Sequence, residues 1–499
     1  MSNKQMETMT CPFDNESAKV LWDLQNVNFE VINKRDVLTP DISLLSAEQK
    51  KSFDSILKFI SDESKGLYLL KGYAGTGKTF TISMLIEYLL SKRMVNAIAM
   101  TAPTNKAVKV MYDMAKYKDN RIDYRTIHSL LGLKEQIDGY GQQKFVQLYG
   151  EDCSIQSYGL VIIDEVSQLS DELFNLLLKY VKPRGVKIIF VGDPAQIPPV
   201  NCLDCIPLSK EGQDKYNIGV SELNTIQRQS EGNPIIVTSM KIRNALGRDN
   251  VLPLKVSEVS EQGEGVFYLS YGVDKDAVKT ILKRYYCSEQ FKQNMSFAKI
   301  VAWTNKTVDT LNEQVRMMIY GKDIPKVVVG ERLIANKPIV DMDSPDPTKP
   351  ILFTTNDEFE VVSIKIDTRM YMQSVLKFYI LEVEYAGTYS KVRKYIKIIH
   401  EDSEGNYMAI LDILKEKATS QKKGTWEAAG AWKEFFRFQD NFADVNYAYA
   451  ITCHKSQGST YVNTFVINSD IDKNKRIVER NRIKYTAFTR SSSRLIVID

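Results

Sequence analysis

The chain has 499 residues, of which 43% are hydrophobic and 26% charged, so it holds ample material for packed cores and lacks the composition of a disordered protein. At about 150 residues per domain, the length implies three or four domains. The 66 Lys and Arg against 62 Asp and Glu leave a net charge of only +4. That balance excludes a uniformly basic coat for nucleic acid or membrane and leaves room for local basic grooves.

No apolar run approaches the ~18–20 residues of a membrane-spanning helix, and the polar start Met1-Ser2-Asn3-Lys4-Gln5-Met6-Glu7 does not read as a signal peptide. Six cysteines in a chain this long make no disulfide scaffold. Cys202 and Cys205 form a lone Cys-x-x-Cys, and His128, His400 and His454 are the only histidines. A structural zinc site needs four soft ligands, usually in two pairs, so none is expected. The expectation is a soluble, cytoplasmic, multidomain protein with no membrane partner.

Residues 1–40 read as an N-terminal extension. Ser46-Ala47-Glu48-Gln49 then opens a helix, with Ser46 as N-cap, Gln49 at the capping-box position, and Phe53, Ile56, Leu57 and Ile60 at helical spacing. Leu67–Leu70 is a short buried strand, followed by a glycine-rich turn and a helix over about 79–90. Further apolar runs at 97–100, 160–163 and 186–191 each end in a polar turn. Strands buried on both faces and separated by helices indicate a doubly wound parallel sheet, which binds ligands at the carboxyl ends of its strands. A hairpin insert is expected at 134–156, where Asp138-Gly139 supplies the turn signal beside Tyr140 and Phe145.

A second α/β set follows. Asn233-Pro234 caps a helix toward Arg243, and 299–303, 464–468 and 495–498 read as buried strands. Between the first and second of these, residues 330–400 alternate as antiparallel strands do, as in Glu358-Phe359-Glu360-Val361. This predicts a small barrel inserted in the second α/β unit, with helices near 407–418 and 426–436. The resulting boundaries are 41–220 for the first unit, 221–329 with 437–499 for the second, and 330–436 for the insert.

Gly72-Tyr73-Ala74-Gly75-Thr76-Gly77-Lys78-Thr79 matches G-x-x-x-x-G-K-[ST] between a strand and a helix. Its glycines let backbone N–H groups face a phosphate chain at a helix N-terminus. Lys78 is expected to reach the β and γ phosphates, and the Thr79 hydroxyl to ligate Mg²⁺. Asp164-Glu165 after the strand 160–163 supplies a second metal partner, Asp164, and a general base for water, Glu165. The pair implies Mg²⁺-dependent hydrolysis of ATP or another nucleoside triphosphate.

Five more segments narrow the field: Thr101-Ala102-Pro103-Thr104-Asn105-Lys106-Ala107, Thr126-Ile127-His128-Ser129-Leu130, Gly192 to Val200, Ala450 to Thr460 with His454-Lys455-Ser456-Gln457-Gly458, and Tyr485 to Arg490. In this order they resemble the motif series of superfamily 1 DNA helicases, most closely the RecD-like and phage Dda-like group, from about Leu45 to the C-terminus. The resemblance implies an α/β fold with two RecA-like doubly wound motor domains, a β-hairpin pin inserted in the first, and a small SH3-like β-barrel inserted in the second. It further implies that Gln49 contacts the adenine edge, that Gln196 senses the γ phosphate, and that Gln457 and Gly458 feel the nucleotide across the cleft. Arg228 and Arg490 resemble two arginine fingers, a role that in other nucleotide hydrolases adds ~10³–10⁵ in rate.

By the same resemblance, single-stranded DNA crosses both motor domains on Pro103, Thr104, Asn105 and Lys106, on Thr126 and His128, and on Thr452 and His454. Such phosphate contacts carry no base sequence information. Trp303 with Asn305 fits either a DNA-facing turn or, for Trp303, plain core. Tyr140 sits where a strand-separating pin would carry an aromatic, or on an ordinary surface hairpin. The activity implied is ATP-driven 5′→3′ translocation on single-stranded DNA with unwinding of forked duplex, as a monomer, in replication, recombination or repair, with a single-strand-binding protein as a partner. An RNA helicase of the same superfamily, or a remodeller that strips proteins without unwinding, shares the nucleotide motifs. A compact build of this kind is also compatible with a viral origin, which would put the protein in a host cytoplasm.

Overall fold

The computed structural model describes residues 40–499 except 116–118, 148–152, 200–203, 227–232, 250–256, 262, 346–349 and 387–390. The N-terminal extension up to residue 39, Cys202 and Arg228 therefore lie outside the described residues, as does part of the 134–156 insert.

The first half carries β1 (Leu67–Gly72), β2 (Ile98–Ala102), β3 (Ile122–Thr126), β4 (Leu133–Ile137), β5 (Gln143–Gln147), β6 (Leu160–Ile163), β7 (Lys187–Gly192) and β8 (Gly219–Leu223). Six of these form a wholly parallel sheet in the order β3-β2-β6-β7-β1-β8. Leu70 pairs with Val191, and Ile163 with Phe190. The register therefore brings the turns after β1, β6 and β7 to one edge, which is what the sequence requires of a ligand site. Helices cover both faces and enclose two separate cores, one around Leu70, Leu85 and Ile162, the other around Leu69, Ile163 and Phe174. The helix Ala47–Ser61 begins where expected. Its capping box is complete, with Gln49 N–H donating to Ser46 Oγ at 3.4 Å and Ser46 N–H to Gln49 Oε1 at 3.0 Å.

The second half contributes β9 (Glu258–Val259), β10 (Gly265–Leu269), β11 (Ala298–Ala302), β12 (Arg332–Ala335), β13 (Ile339–Val340), β14 (Ile351–Phe353), β15 (Glu358–Tyr371), β16 (Ser374–Ala386), β17 (Lys391–Ile399), β18 (Val445–Tyr447), β19 (Ala450–Thr452), β20 (Tyr461–Ile467) and β21 (Ser491–Ile498). A second sheet runs β19-β11-β20-β21-β10-β9, parallel apart from β9. Asn233 caps the helix Pro234–Arg243 as its sequence requires.

The insert is a five-stranded antiparallel sheet in the order β17-β16-β15-β12-β18. One hydrogen bond, Ala443 N–H to Lys397 O at 2.7 Å, brings the segment before β18 back against β17. The insert has two cores rather than one. The sheet encloses Phe353, Phe359 and Leu381, while Leu376 and Phe378 of β16 pack with the helices Glu404–Ser420 and Trp426–Gln439.

The hairpin β4–β5 is present, but its turn differs from the expected Asp138-Gly139 pair. Strand pairing stops at Ile137 and Gln143, leaving a five-residue loop. Asp138 Oδ1 accepts the N–H groups of Tyr140 and Gln142, both at 2.9 Å, and Gly141, not Gly139, takes the positive φ of +74°. Gly139 is required for another reason. A Cβ there would stand 2.9 Å from the Gly424 backbone, against which the loop is docked.

A buried ion pair fastens the insert to the second sheet. Arg316, on the helix Asn305–Tyr320, donates from Nε to Glu331 Oε2 at 2.9 Å, and Glu331 Oε1 accepts the Tyr449 hydroxyl at 2.7 Å. Glu331 is 0% exposed. Replacing it by Ala strands a buried guanidinium, so Glu331→Ala should lower stability by about 3–5 kcal/mol in denaturant unfolding.

Candidate nucleotide and DNA site

The strand β1 ends in a loop whose backbone is turned inward by Gly75 and Gly77, at φ +81° and +82°. The helix Lys78–Ser91 starts directly behind it, so its unpaired N–H groups and positive dipole end face the loop's hollow. Lys78 Nζ lies across that hollow, donating to Gly72 O at 2.7 Å and Tyr73 O at 3.0 Å. These are neutral carbonyls, weak partners for a cation that an anionic phosphate would displace. Gly72 and Thr76 stand behind the loop rather than in it. A Cβ on Gly72 would press on Thr76 Oγ1 at 2.8 Å, and Thr76 O accepts from Gln49 Nε2 at 3.3 Å. Gln49 thus spends Oε1 on its own helix cap and one N–H on the loop, which leaves one amide N–H for a ligand.

A cleft of about 500 Å³ opens from this loop. Its floor is Ala74, Gly75, Gly77, Lys78 and Thr79; Asp164, Glu165 and Gln196 form one wall, and Gly458, Ser459 and Arg490 of the second half face them. Leu44, Gln49, Phe80, Met111 and Met114 extend it as a largely apolar slot that suits a flat heterocycle.

The acidic pair is strongly perturbed. Asp164 Oδ1 accepts Glu165 N–H at 2.8 Å. Burial pushes the Asp164 carboxyl up, opposed by that N–H and by Lys78. Burial also raises Glu165, and the neighbouring Asp164 charge adds to it, against the pull of Arg490 and Lys78. A carboxyl raised in this way is suited to proton transfer near neutral pH. Glu165 also sits at φ +52° and ψ +41°, a conformation that costs a non-glycine residue about 1–3 kcal/mol and persists only where the surroundings enforce it.

One buried polar atom at the cleft, Gln196 Oε1, has no hydrogen-bond partner among the described residues. Leaving such a group unpaired is costly, and a bound polar ligand would satisfy it. A triphosphate with a hard cation therefore fits the residues present, because Thr79 and Asp164 offer the oxygen ligands that Mg²⁺ prefers alongside phosphate oxygens.

Residues from the second half close the cleft. Tyr485, on the helix Ile477–Phe488, donates from its hydroxyl to Asp193 Oδ2 at 2.7 Å and accepts Ala74 N–H at 3.0 Å. Thr486 Oγ1 accepts Ile197 N–H at 3.3 Å. Arg490 is buried, with Nε donating to Thr486 O at 2.9 Å, one terminal nitrogen to Ser459 O at 3.2 Å and the other to Thr489 Oγ1 at 3.1 Å. It is held by neutral oxygens with its charge directed at Glu165. Gln457 departs from expectation. Its amide is buried and donates to Ile197 O at 2.8 Å, so it acts on the Gln196 loop instead of lining the cleft; Gly458 does line it.

The expected DNA contacts recur at the carboxyl ends of strands from both sheets. Thr104 Oγ1 accepts Ala107 N–H at 3.3 Å after β2, Thr126 Oγ1 accepts Ser129 N–H at 3.2 Å after β3, and Thr452 Oγ1 accepts Lys455 N–H at 3.3 Å after β19. Each hydroxyl caps a turn with a lone pair and retains its proton as a donor for a phosphate oxygen. Pro103 precedes the first of these caps and Asn105 is exposed beside it. Asn305 and Thr452 share a groove with Asn336 and Lys455. Burial lowers the pKa of both His128 and His454, so both are neutral donors near pH 7. Trp303 is half-buried against a core of the second half, and its backbone N–H donates to Asp470 Oδ2 at 3.0 Å. Tyr140 is 64% exposed on the hairpin loop.

Lys106 is a correction. Its amine donates to Glu358 Oε1 at 2.6 Å and to the Tyr461 hydroxyl at 3.2 Å, because the insert brings a buried carboxylate within reach.

The comparisons with known proteins agree with this geometry. The AAA domain model matches residues 58–201, and the UvrD-like helicase C-terminal domain model matches 447–498. These spans hold the phosphate loop with Asp164 and Gln196 on one side, and Ser459 and Arg490 on the other. The uncharacterized protein R530 of Acanthamoeba polyphaga mimivirus is 27% identical, over 91% of this chain and 99% of that protein. The ATP-dependent DNA helicase dda of Enterobacteria phage T4 is also 27% identical, over 85% of this chain and 92% of its own length. The chain is similar to the superfamily 1 helicases of the RecD-like and Dda-like group. Among solved structures, the Pif1 helicase from Candida albicans superposes with a TM-score of 0.47 at 16% identity, over 91% of this chain and 94% of that one.

The candidate nucleotide cleft is thus lined by residues of both parallel-sheet units. Sequence reading passed over Asp193, Tyr485 and Thr486, which hold the two sides together. They lie inside the quoted motifs, but nothing in their spacing marks a contact across nearly 300 residues of chain. Arg243 was also passed over. Its guanidinium lies 4.2 Å from the Tyr73 ring centroid, beside the phosphate loop. Tyr485→Phe removes one hydroxyl and leaves Ala74 N–H and an Asp193 oxygen short of a partner. It should cost about 1–3 kcal/mol in denaturant unfolding and weaken ATP binding measured by calorimetry.

Proposed function

We propose that this helicase hydrolyses ATP with Mg²⁺ to move 5′→3′ along single-stranded DNA and to unwind forked duplex. The observation that carries the reading is the composite cleft, with Lys78, Asp164 and Glu165 from the first sheet facing Arg490 from the second. A reaction that needs groups from both sheets proceeds only when the sheets close, which ties hydrolysis to domain motion.

In this reading Lys78 and the loop amides hold the β and γ phosphates, and Gln49 presents its remaining N–H to the adenine edge. Mg²⁺, when bound by Thr79 and Asp164, neutralises phosphate charge. Glu165 takes the proton of the attacking water, Gln196 orients that water against the γ phosphate, and Arg490 stabilises the charge that develops there. Arg228 is assigned the second such role from the family motif. Gly458 and Ser459 report nucleotide state to the turn at Thr452 and His454. The hydroxyls of Thr104, Thr126 and Thr452, with Pro103, Asn105, His128, His454 and Asn305, grip the phosphodiester backbone without reading sequence. The grips of the two sheets alternate as the cleft opens and shuts.

The hairpin is assigned the strand-splitting role, with Tyr140 at its tip. Its rigidity comes from the insert: Gly424 N–H donates to Gly139 O at 3.1 Å, and a Cβ on Gly141 would stand 2.5 Å from the Trp432 ring. An element that must bear against base pairs costing about 1.4 kcal/mol per step needs such a backing. The domain boundaries are assigned as 41–220, 221–329 with 437–499, and 330–436 for a barrel-like accessory unit, whose sheet also takes in β18 from the returning chain. No helix among the described residues is long and apolar enough to cross a membrane. Action as a monomer in the cytoplasm, in replication, recombination or repair beside a single-strand-binding protein, completes the proposal.

Strand separation on partial duplexes with a 5′ or a 3′ single-stranded tail tests it. Unwinding from the 5′ tail alone is expected. Unwinding from the 3′ tail alone would reverse the polarity, and ATPase stimulated by DNA without unwinding would favour the remodeller. Lys78→Ala should abolish ATP turnover and retain binding of a single-stranded oligonucleotide. Gly139→Val, which forces the loop off Gly424, should reduce unwinding about tenfold or more while single-strand-stimulated ATPase stays within about twofold.

A further inference from the structure

Three parts of the chain meet at one buried carboxylate. Glu358, the first residue of β15, accepts Lys106 Nζ on Oε1 at 2.6 Å and Lys299 Nζ on Oε2 at 2.7 Å. Lys106 comes from the helix Asn105–Met114, which covers the first sheet and borders the nucleotide cleft. Lys299 comes from β11 of the second sheet and also donates to Ala448 O. Tyr461 stands between the two amines, its ring centroid 5.3 Å from each and its hydroxyl accepting from Lys106. Two cations thus share one anion in the interior.

We propose that Glu358 is a positioning residue for cleft closure, receiving Lys106 only when the two parallel sheets close on nucleotide and so tying the insert to the state of the ATP site. The inference rests on the helicase reading above and extends it to residues outside the nucleotide cleft.

The stoichiometry makes this contact reversible. Lys299 and Glu358 both belong to the second half of the chain, so they remain a balanced one-to-one pair when the first sheet withdraws. No buried charge is orphaned, and orphaning is what makes breaking an interior ion pair expensive. The electrostatics agree. Burial acts to raise Glu358, yet the two lysines outweigh it and hold the carboxyl at about 2. Burial drives Lys299 down to about 8 against the attraction of Glu358. Lys106 is held above its ordinary value by Glu358 in spite of burial.

The consequence of closure is carried outward by β15. That strand runs from Glu358, which pairs with Ile334 of β12, to Tyr371, and it pairs with β16 from Glu360 onward; β16 packs on the helices that back the loop of β4–β5. A displacement at Glu358 therefore reaches the hairpin through the sheet and the helices packed on it.

Lys106→Met in the full chain tests the proposal, since it leaves the Lys299–Glu358 pair intact and the fold with it. The KM for ATP, read with and without saturating oligo-dT, should rise about tenfold, by more than any fall in kcat. The salt dependence of oligo-dT binding should keep its slope. Glu358→Gln should raise the KM likewise, and the double variant should be no worse than Glu358→Gln alone. An unchanged KM, additive effects in the double variant, or a salt slope reduced by about one unit would overturn the proposal, the last by making Lys106 a phosphate contact. If oligo-dT fails to stimulate wild-type turnover, the helicase reading falls, while the KM shift in DNA-free turnover still decides the role of Glu358.

Discussion

Everything in this molecule depends on a cleft that must shut without locking. Across it run single hydrogen bonds: Tyr485 to Asp193 and Ala74, Thr486 to Ile197, Gln457 to Ile197. Each contributes on the order of 1 kcal/mol net, so a few of them hold two sheets in register yet yield to the binding energy of one nucleotide. Apolar contacts join them, since Ala195 and Ile197 of the first half pack in one core with Ile451 and Tyr485 of the second. The Lys106–Glu358 contact follows the same rule with charges, because the carboxylate keeps Lys299 when Lys106 leaves.

Inside the cleft the chain carries the opposite economy, groups that are uncomfortable until a ligand arrives. Asp164 and Glu165 are adjacent, half-buried and mutually repulsive. Glu165 is bent into the left-handed region, and Gln196 Oε1 has no partner among the described residues. Lys78 and Arg490 rest on carbonyl and hydroxyl oxygens rather than on carboxylates. In the proposed function, a triphosphate with a hard cation would supply partners for Lys78, Arg490, Asp164 and Gln196 together.

The insert converts this local chemistry into something mechanical. Its sheet begins at the charge cluster beside the cleft, and its helices end against Gly139 and Gly141 of the hairpin loop. The glycines there are dictated by contact: the Gly424 backbone and the Trp432 ring leave no room for a Cβ. A hairpin of two five-residue strands is marginal by itself, and packing against a second unit stiffens it.

Much of this was legible in the amino-acid order. Buried strands followed by glycine, acid or threonine at fixed points led to the parallel sheets, the phosphate loop, the Asp164–Glu165 pair and the helix caps at Ser46 and Asn233, because local hydrogen bonding and alternation of burial set these over a few residues. The five-residue turn at Asp138, the inward use of Gln457, the half-buried position of Trp303 and the capture of Lys106 by Glu358 were decided elsewhere. Each depends on which distant segment arrives beside the residue: Gly424 at the hairpin, Ile197 at Gln457, Asp470 at Trp303, Glu358 at Lys106. The sequence by itself determined the chemical groups and the strands that carry them. Only the tertiary structure decided which of those groups face the ligand and which hold the two sheets together, since both uses draw on the same side chains and the choice is made by what lies within about 3 Å.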